Sequence, residues 1–171
     1  MIWTIGHSTR TQEEFLELLK AHGIRAIADI RRFPASRRHP HFNGPSMAEW
    51  LRAEGIGYEH FEDLGGRRSA ARASVNTGLR NAGFRVYADY MQTPAFRAAL
   101  DRLTTWSHEQ PTAIMCAEAV HWRCHRSLTA DALAARGMDV RHILDVSPAR
   151  AHRIHELARV DRGELTYPGL L

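Results

Sequence analysis

Residues Pro111 to Ser127 read PTAIMCAEAVHWRCHRS, and the fold follows from how this stretch divides. Thr112 to Cys116 is a short apolar run of the kind that forms a strand covered on both faces. From about Arg123 to Arg136 the chain reads as a helix, closed by Gly137. A polar loop that hands a strand over to a helix emerges at the carboxyl edge of a sheet. The first amides of that helix are then free to bind an anion or to lower a thiol pKa. Both cysteines of the chain, Cys116 and Cys124, lie in this stretch, with Glu118, His121, Arg123, His125 and Arg126 between and beside them.

The same alternation extends in both directions. Ile2 to Ile5 is a strand ended by Gly6-His7-Ser8, and Thr11 with Glu14 forms a capping box for a helix that Gly23 closes. Ile24 to Ile30 is a second strand. The loop after it carries Pro34, Pro40, Gly44 and Pro45, which forbid regular structure. Ser46 and Glu49 read as a second capping box, for a helix stopping at Gly55. Ile56 to Phe61 is a third strand, followed by a long loop from Leu64 to about Gly83. Phe84 to Tyr90 is helical, and Thr93-Pro94 starts a helix carrying Phe96, Leu100, Leu103 and Trp106. Val140 to Leu144 is a fifth strand, and Ser147-Pro148 caps a last helix to about Arg159. The expectation is one α/β domain over residues 1–171: three layers, a mostly parallel sheet of about five strands, and helices on both faces. Residues 160–171 read as a C-terminal surface strap. Strand order and oligomeric state are open at this level.

With 171 residues, 44% hydrophobic and 25% charged, the chain has the composition of an ordinary globular domain large enough for a full core. No apolar run approaches the roughly 18 residues of a membrane span, and MIWTIGHSTR lacks the layout of a secretory signal. Two cysteines do not make a disulfide framework, so a reducing, cytoplasmic setting is expected. Of 23 basic residues only Lys20 is lysine. Eleven arginines fall in three segments without acids: Arg31, Arg32, Arg37 and Arg38; Arg67, Arg68, Arg72, Arg80 and Arg85; Arg123 and Arg126. Arginine forks suit phosphate or carboxylate, so the expected ligand is a small anion or nucleic acid, with no membrane partner.

In a parallel sheet every strand-to-helix loop emerges at one edge, where ligands bind. Gly6-His7-Ser8, Asp29-Ile30-Arg31, Gly65-Gly66-Arg67 and Cys116-Ala117-Glu118 should therefore converge. The chain resembles the domain-of-unknown-function 488 family along nearly its whole length. The resemblance rests on Thr4-Ile5-Gly6-His7-Ser8, Asp29-Ile30-Arg31, Pro34-Ala35-Ser36-Arg37, Phe42-Asn43 and Leu64-Gly65-Gly66-Arg67. Further on it rests on Phe84, Tyr87, Tyr90-Met91, Met115-Cys116-Ala117-Glu118, Cys124-His125-Arg126 and His142-Ile143. It implies a shared site on these residues rather than a particular reaction.

Cys116 is either a small core residue or a thiolate nucleophile or ligand activated by the helix start and by Arg123, Arg126 or His125. Cysteine phosphatases place five residues between Cys and Arg, whereas six separate Cys116 from Arg123, and Glu118 would repel a phosphate. Cys-x-Glu with a later Cys echoes zinc nucleobase deaminases, but their Pro-Cys-x-x-Cys half is absent. The leading expectation is an enzyme on a small phosphate-bearing substrate, such as a nucleotide or nucleic-acid component. Cys116 is the nucleophile or activated thiolate, Glu118 the general acid/base, and His7 or His125 a proton partner. Arg31, Arg37, Arg67 and Arg126 hold the anion with the amides of Gly6, Ser8, Gly65 and Gly66. Asp29, Asn43 and Tyr87 complete the set, although Asp29 has the alternative of an ion pair with Arg31, and Tyr87 that of a wall residue. No cofactor is required by this reading. The rivals are a non-catalytic nucleic-acid-binding module and a protein holding zinc or iron through Cys116, Cys124 and His125.

Overall fold

Five parallel strands carry the molecule: β1 (Ile2–Gly6), β2 (Ala26–Asp29), β3 (Gly57–His60), β4 (Thr112–Cys116) and β5 (Val140–Ile143). The computed structural model describes residues 1–70, 73–161 and 163–169. Arg72 of the second basic segment, and Arg162, Leu170 and Leu171 of the expected strap, lie outside them. A short sixth strand, β6 (Arg150–Ala151), pairs antiparallel with β5, giving the order β3-β2-β4-β1-β5-β6. The α/β expectation therefore holds, with a mixed sheet one strand wider than the five expected.

The two-residue period of the strands divides their side chains between two cores. Ala113 and Met115 of β4 join Ile5 of β1 and Ile27 of β2 on one face, beneath α1 (Gln12–Ala21) and α2 (Gly44–Ala53). Ile114 and Cys116 join Ile2 and Ala28 on the other face, beneath α3 (Ala82–Met91), α4 (Pro94–Glu109) and α5 (Arg126–Ala135). β4 lies between β2 and β1 although it follows both in the chain. The loops after β1 and β2 lead to helices on one face, and the loop after β4 leads to α5 on the other. Where adjacent strands send their loops to opposite faces a crevice opens at the carboxyl edge. Here it opens around the ends of β1, β4 and β2.

Local signals account for most helix starts. The Thr11 hydroxyl accepts from Glu14 N at 3.2 Å and the Glu14 carboxylate accepts from Thr11 N at 2.8 Å, so the capping box forms. Thr93 caps α4, with Pro94 at its first position. The Ser46–Glu49 box does not form, because α2 already begins at Gly44, with Asn43 as its cap residue. Pro45 suits the first turn, where its missing N–H is no loss, and this carries the helix start upstream.

The expected helix after Ser147-Pro148 is corrected to extended chain and turns. There β6 closes the sheet edge, and His152 N donates to Val140 O at 2.8 Å. The buried Asp131 carboxylate takes His152 Nε2 at 2.8 Å and the His155 amide at 3.0 Å, holding this segment away from helical pairing. The tail forms a hairpin of β7 (Arg159–Asp161) and β8 (Glu164–Thr166). It is anchored more firmly than a surface strap: Leu165 and Tyr167 are buried, and the Tyr167 hydroxyl donates to Asp131 at 2.8 Å. Among the described residues no helix is long and apolar enough to cross a membrane.

Candidate functional site

The crevice holds a hollow of about 500 Å³. Strand register brings the loops into line: Gly6 lies opposite Cys116 and Asp29 opposite Met115. The loop amides continue the pattern, with His7 N donating to Cys116 O at 3.0 Å, Ser8 N to Ala117 O at 2.8 Å and Ile30 N to Met115 O at 3.0 Å. Gly6 is required here, since a Cβ on it would lie 1.8 Å from the Glu118 carbonyl oxygen.

Of the expected residues, Cys116, Glu118, His125 and His7 line the hollow, joined by Arg31, Arg67, Gly66 and Tyr87. Ser8 and Arg37 line a second hollow of about 570 Å³, which adjoins the first along His7, Ser36, Glu118 and Arg123. Gly6, Asp29, Asn43, Gly65 and Arg126 line neither. Gly65 packs against the Arg32 backbone, and Asn43 Oδ1 accepts from Ser36 N at 2.6 Å, which shapes the loop after β2.

Two of the arginines expected to hold an anion are engaged with the protein itself. Arg126 is buried beneath the site, where it donates to the backbone carbonyls of Ile5, Glu118 and Ala119. It holds the Cys116–Ala119 loop against β1 rather than facing the hollow. Arg31 forms a buried fork with Asp29, at 2.9 Å from Nε and 2.6 Å from NH2, and also donates to Phe42 O at 2.8 Å. Burial opposes its charge, but Asp29 outweighs that and raises its pKa. Tyr58 donates to the same carboxylate at 2.8 Å.

His7 completes this group. Its Nδ1 faces Ser8 O at 2.9 Å, and a carbonyl only accepts, so Nδ1 carries the proton. Its Nε2 is left to accept from Arg31 NH1 at 3.3 Å. The ring stacks on Phe42, 4.4 Å between centroids. Burial lowers its pKa from 6.5 to about 4, so His7 is neutral at pH 7, with its lone pair turned to Arg31.

Beside this group stand Cys116, Cys124 and His125. His125 Nε2 lies 3.0 Å from Ile30 O, so by the same reasoning it carries the proton and Nδ1 presents its lone pair. That Nδ1 lies 3.6 Å from Cys124 Sγ and 3.9 Å from Cys116 Sγ. The Tyr87 ring meets the His125 ring edge-on at 4.9 Å, and its hydroxyl bonds Leu64 O at 2.6 Å and Thr129 at 2.9 Å. Both cysteines are free thiols. A hydrogen bond from the Cys124 thiol lowers the Cys116 pKa well below its usual value against the effect of burial, with the Arg126 charge assisting, while Cys124 is raised. The three donor atoms all lie within 4.8 Å of one another and form the one group able to hold a metal ion among the described residues.

Residues without a site role in the sequence reading also line the hollow: Arg32, Phe33, Ser36, Asn81 and Phe84; Arg123 and Cys124, read there as a thiol activator and a metal ligand, line it as well. Arg32 NH1 donates to Arg67 O at 2.6 Å, and Arg67 adopts a left-handed backbone, φ 55°. Arg32 could have been read from its place directly after Arg31 at the end of β2. Phe84 was marked only by the family resemblance and Asn81 not at all, because their approach depends on how α3 crosses the crevice.

Searches of curated proteins and of solved structures return no match. A family model does match, over residues 11–133, which takes in every residue lining the first hollow except His7. On that match, extending over well more than half of the sequence, the chain belongs to the family described as Domain of unknown function DUF488.

Proposed function

We propose that the protein is an enzyme acting on a small phosphate-bearing substrate, a nucleotide or nucleic-acid component, bound at the carboxyl edge of the sheet. One observation carries the reading: a single hollow joins Arg32, Arg67 and Arg123, beside the Asp29-paired Arg31, to a thiol–imidazole cluster, and among the described residues Glu118 is the one acid that lines it. Guanidinium forks at a rim bind an anion and orient it, and a cysteine at the far wall meets the reacting end. Arg67 and Arg123 take the phosphate, the sulfur of Cys116 faces the reacting atom, and Glu118 moves the proton. His7 acts through Arg31 as a positioning residue, since its free nitrogen is already engaged. Two free thiols this close call for a reducing compartment, which favours the cytoplasm.

The test is alkylation of Cys116 in the full chain, followed by mass spectrometry. Inorganic phosphate or a nucleoside monophosphate is expected to slow modification, and Arg67→Ala with Arg123→Ala to remove that protection. Equal rates with and without millimolar phosphate would refute the reading.

The second hollow favours a second reading, binding of a nucleic-acid backbone without catalysis, because Arg37, Arg38 and His39 line it in continuation of Arg123. That reading expects affinity for an oligonucleotide to fall steeply with salt and to ignore substitution of Cys116.

A further inference from the structure

The wall formed by Cys116, Cys124 and His125 has the dimensions of a metal centre. A tetrahedral zinc ion with ordinary Zn–S and Zn–N bonds sets sulfur and nitrogen ligands about 3.5 Å apart and two sulfurs about 3.8 Å apart. His125 Nδ1 lies 3.6 Å from Cys124 Sγ and 3.9 Å from Cys116 Sγ, and no pair of the three donors exceeds 4.8 Å. Shifts of a few tenths of an ångström in two side chains would bring the nitrogen–sulfur separations to that geometry.

Three further features belong to a ligand site rather than to a packed core. The Ile30 carbonyl fixes the His125 tautomer with its lone pair toward the sulfurs, the orientation that a backbone acceptor imposes on metal-bound imidazoles. The Arg126 amide donates to Cys124 Sγ at 3.4 Å, a bond that suits a thiolate ligand. Gly66 crosses the cluster where a Cβ would come within 3.0 Å of His125 Nδ1, so a side chain at this position would crowd the space in front of that nitrogen. The charges balance as well, because two thiolates neutralise a divalent ion in surroundings already rich in arginine.

We propose that Cys116, Cys124 and His125 bind one zinc ion whose fourth position opens into the arginine-lined hollow. This rests on the functional reading above and deepens it: the cysteine wall carries a Lewis acid facing the place where the anion sits. Glu118, two residues from the first ligand and on the cavity wall, remains free of the metal to serve a water or substrate oxygen at the open position.

The experiment is a cobalt titration of the full chain, stripped by chelator and kept reduced. One equivalent of Co²⁺ is expected to give a thiolate-to-cobalt charge-transfer band and tetrahedral visible bands, both abolished by one equivalent of Zn²⁺. Cys124→Ser and His125→Ala are expected to lose the charge-transfer intensity or shift the bands while keeping the far-ultraviolet dichroism of the parent. Should either variant fail to fold, the parent alone decides, since Zn²⁺ must protect two thiols per chain from alkylation. No cobalt bands at a micromolar excess, or two thiols equally reactive with and without Zn²⁺, overturns the metal centre. The two readings fail separately: cobalt bands untouched by phosphate leave the metal standing without the anion, whereas phosphate protection of Cys116 without cobalt bands leaves the anion standing without the metal.

Discussion

Replacing Gly6 by alanine should damage fold and site together. The new Cβ would lie 1.8 Å from the Glu118 carbonyl oxygen, 2.6 Å from its carbon and 2.9 Å from Arg126 NH1. An ordinary contact begins near 3.4 Å, so the carbonyl must retreat by about 1.6 Å. β1 cannot yield instead, because it is hydrogen-bonded to β4 on one side and β5 on the other. Moving the loop withdraws the Glu118 and Ala119 carbonyls from Arg126, a guanidinium only 1% exposed. Overpacking costs about 1–3 kcal/mol and each buried donor left without a partner about 1–3 kcal/mol more. A loss of about 3–6 kcal/mol follows, to be read from urea unfolding by circular dichroism and tryptophan fluorescence. A Gly6→Ala protein that loses less than about 1 kcal/mol would refute the view that Arg126 clamps this loop to β1.

Other expectations are simpler to read. Gly66→Ala places its Cβ against a side chain, His125 Nδ1 at 3.0 Å, so it should cost under about 1 kcal/mol in stability yet abolish the cobalt bands. Tyr87→Phe removes two buried bonds, to Leu64 and Thr129, and should lower the unfolding free energy by about 1–2 kcal/mol. Asp29→Asn leaves the buried Arg31 charge uncompensated and should cost about 3 kcal/mol, measured the same way. His142 is buried, stacked on His121 at 3.4 Å, and its pKa is lowered by burial from 6.5 to about 3. The unfolded chain then binds the extra proton below pH 6.5, and stability falls as the pH drops from there towards 3. Between pH 6.5 and 5 the loss from this group should be about 1–2 kcal/mol, and His142→Gln should remove that share while the slope from the similarly buried His7 and His121 remains.

Elements whose cause lies in neighbouring residues were legible before any coordinates. Thr11 and Glu14 cap α1 from three residues apart, and Thr93-Pro94 starts α4 by the same short-range chemistry. The strand around Cys116 showed itself as an uninterrupted apolar run, because both of its faces are covered. Ser147-Pro148 misled for a physical reason: a good local start lost to Asp131, which lies more than ten residues upstream and takes the backbone and side-chain donors of the segment.

The one-edge rule of parallel sheets was likewise enough to gather His7, Arg31, Arg67, Cys116 and Glu118 around one hollow. It could not say which arginines face that hollow. Arg126 and Arg123 are alike in sequence, yet one reaches across to Ile5, 121 positions away, and the other lines the cavity. By itself the sequence determined the alternation of strand and helix, the caps of α1 and α4 and most of the residues at the working edge, since periodicity and capping act over a few positions. Only the tertiary structure decided the strand order, the links from the Asp29–Arg31 pair to His7, Phe42 and Tyr58, and the anchoring of His125 on Ile30 that turns its free nitrogen to the two sulfurs. Those depend on contacts between segments whose separation along the chain carries no local trace.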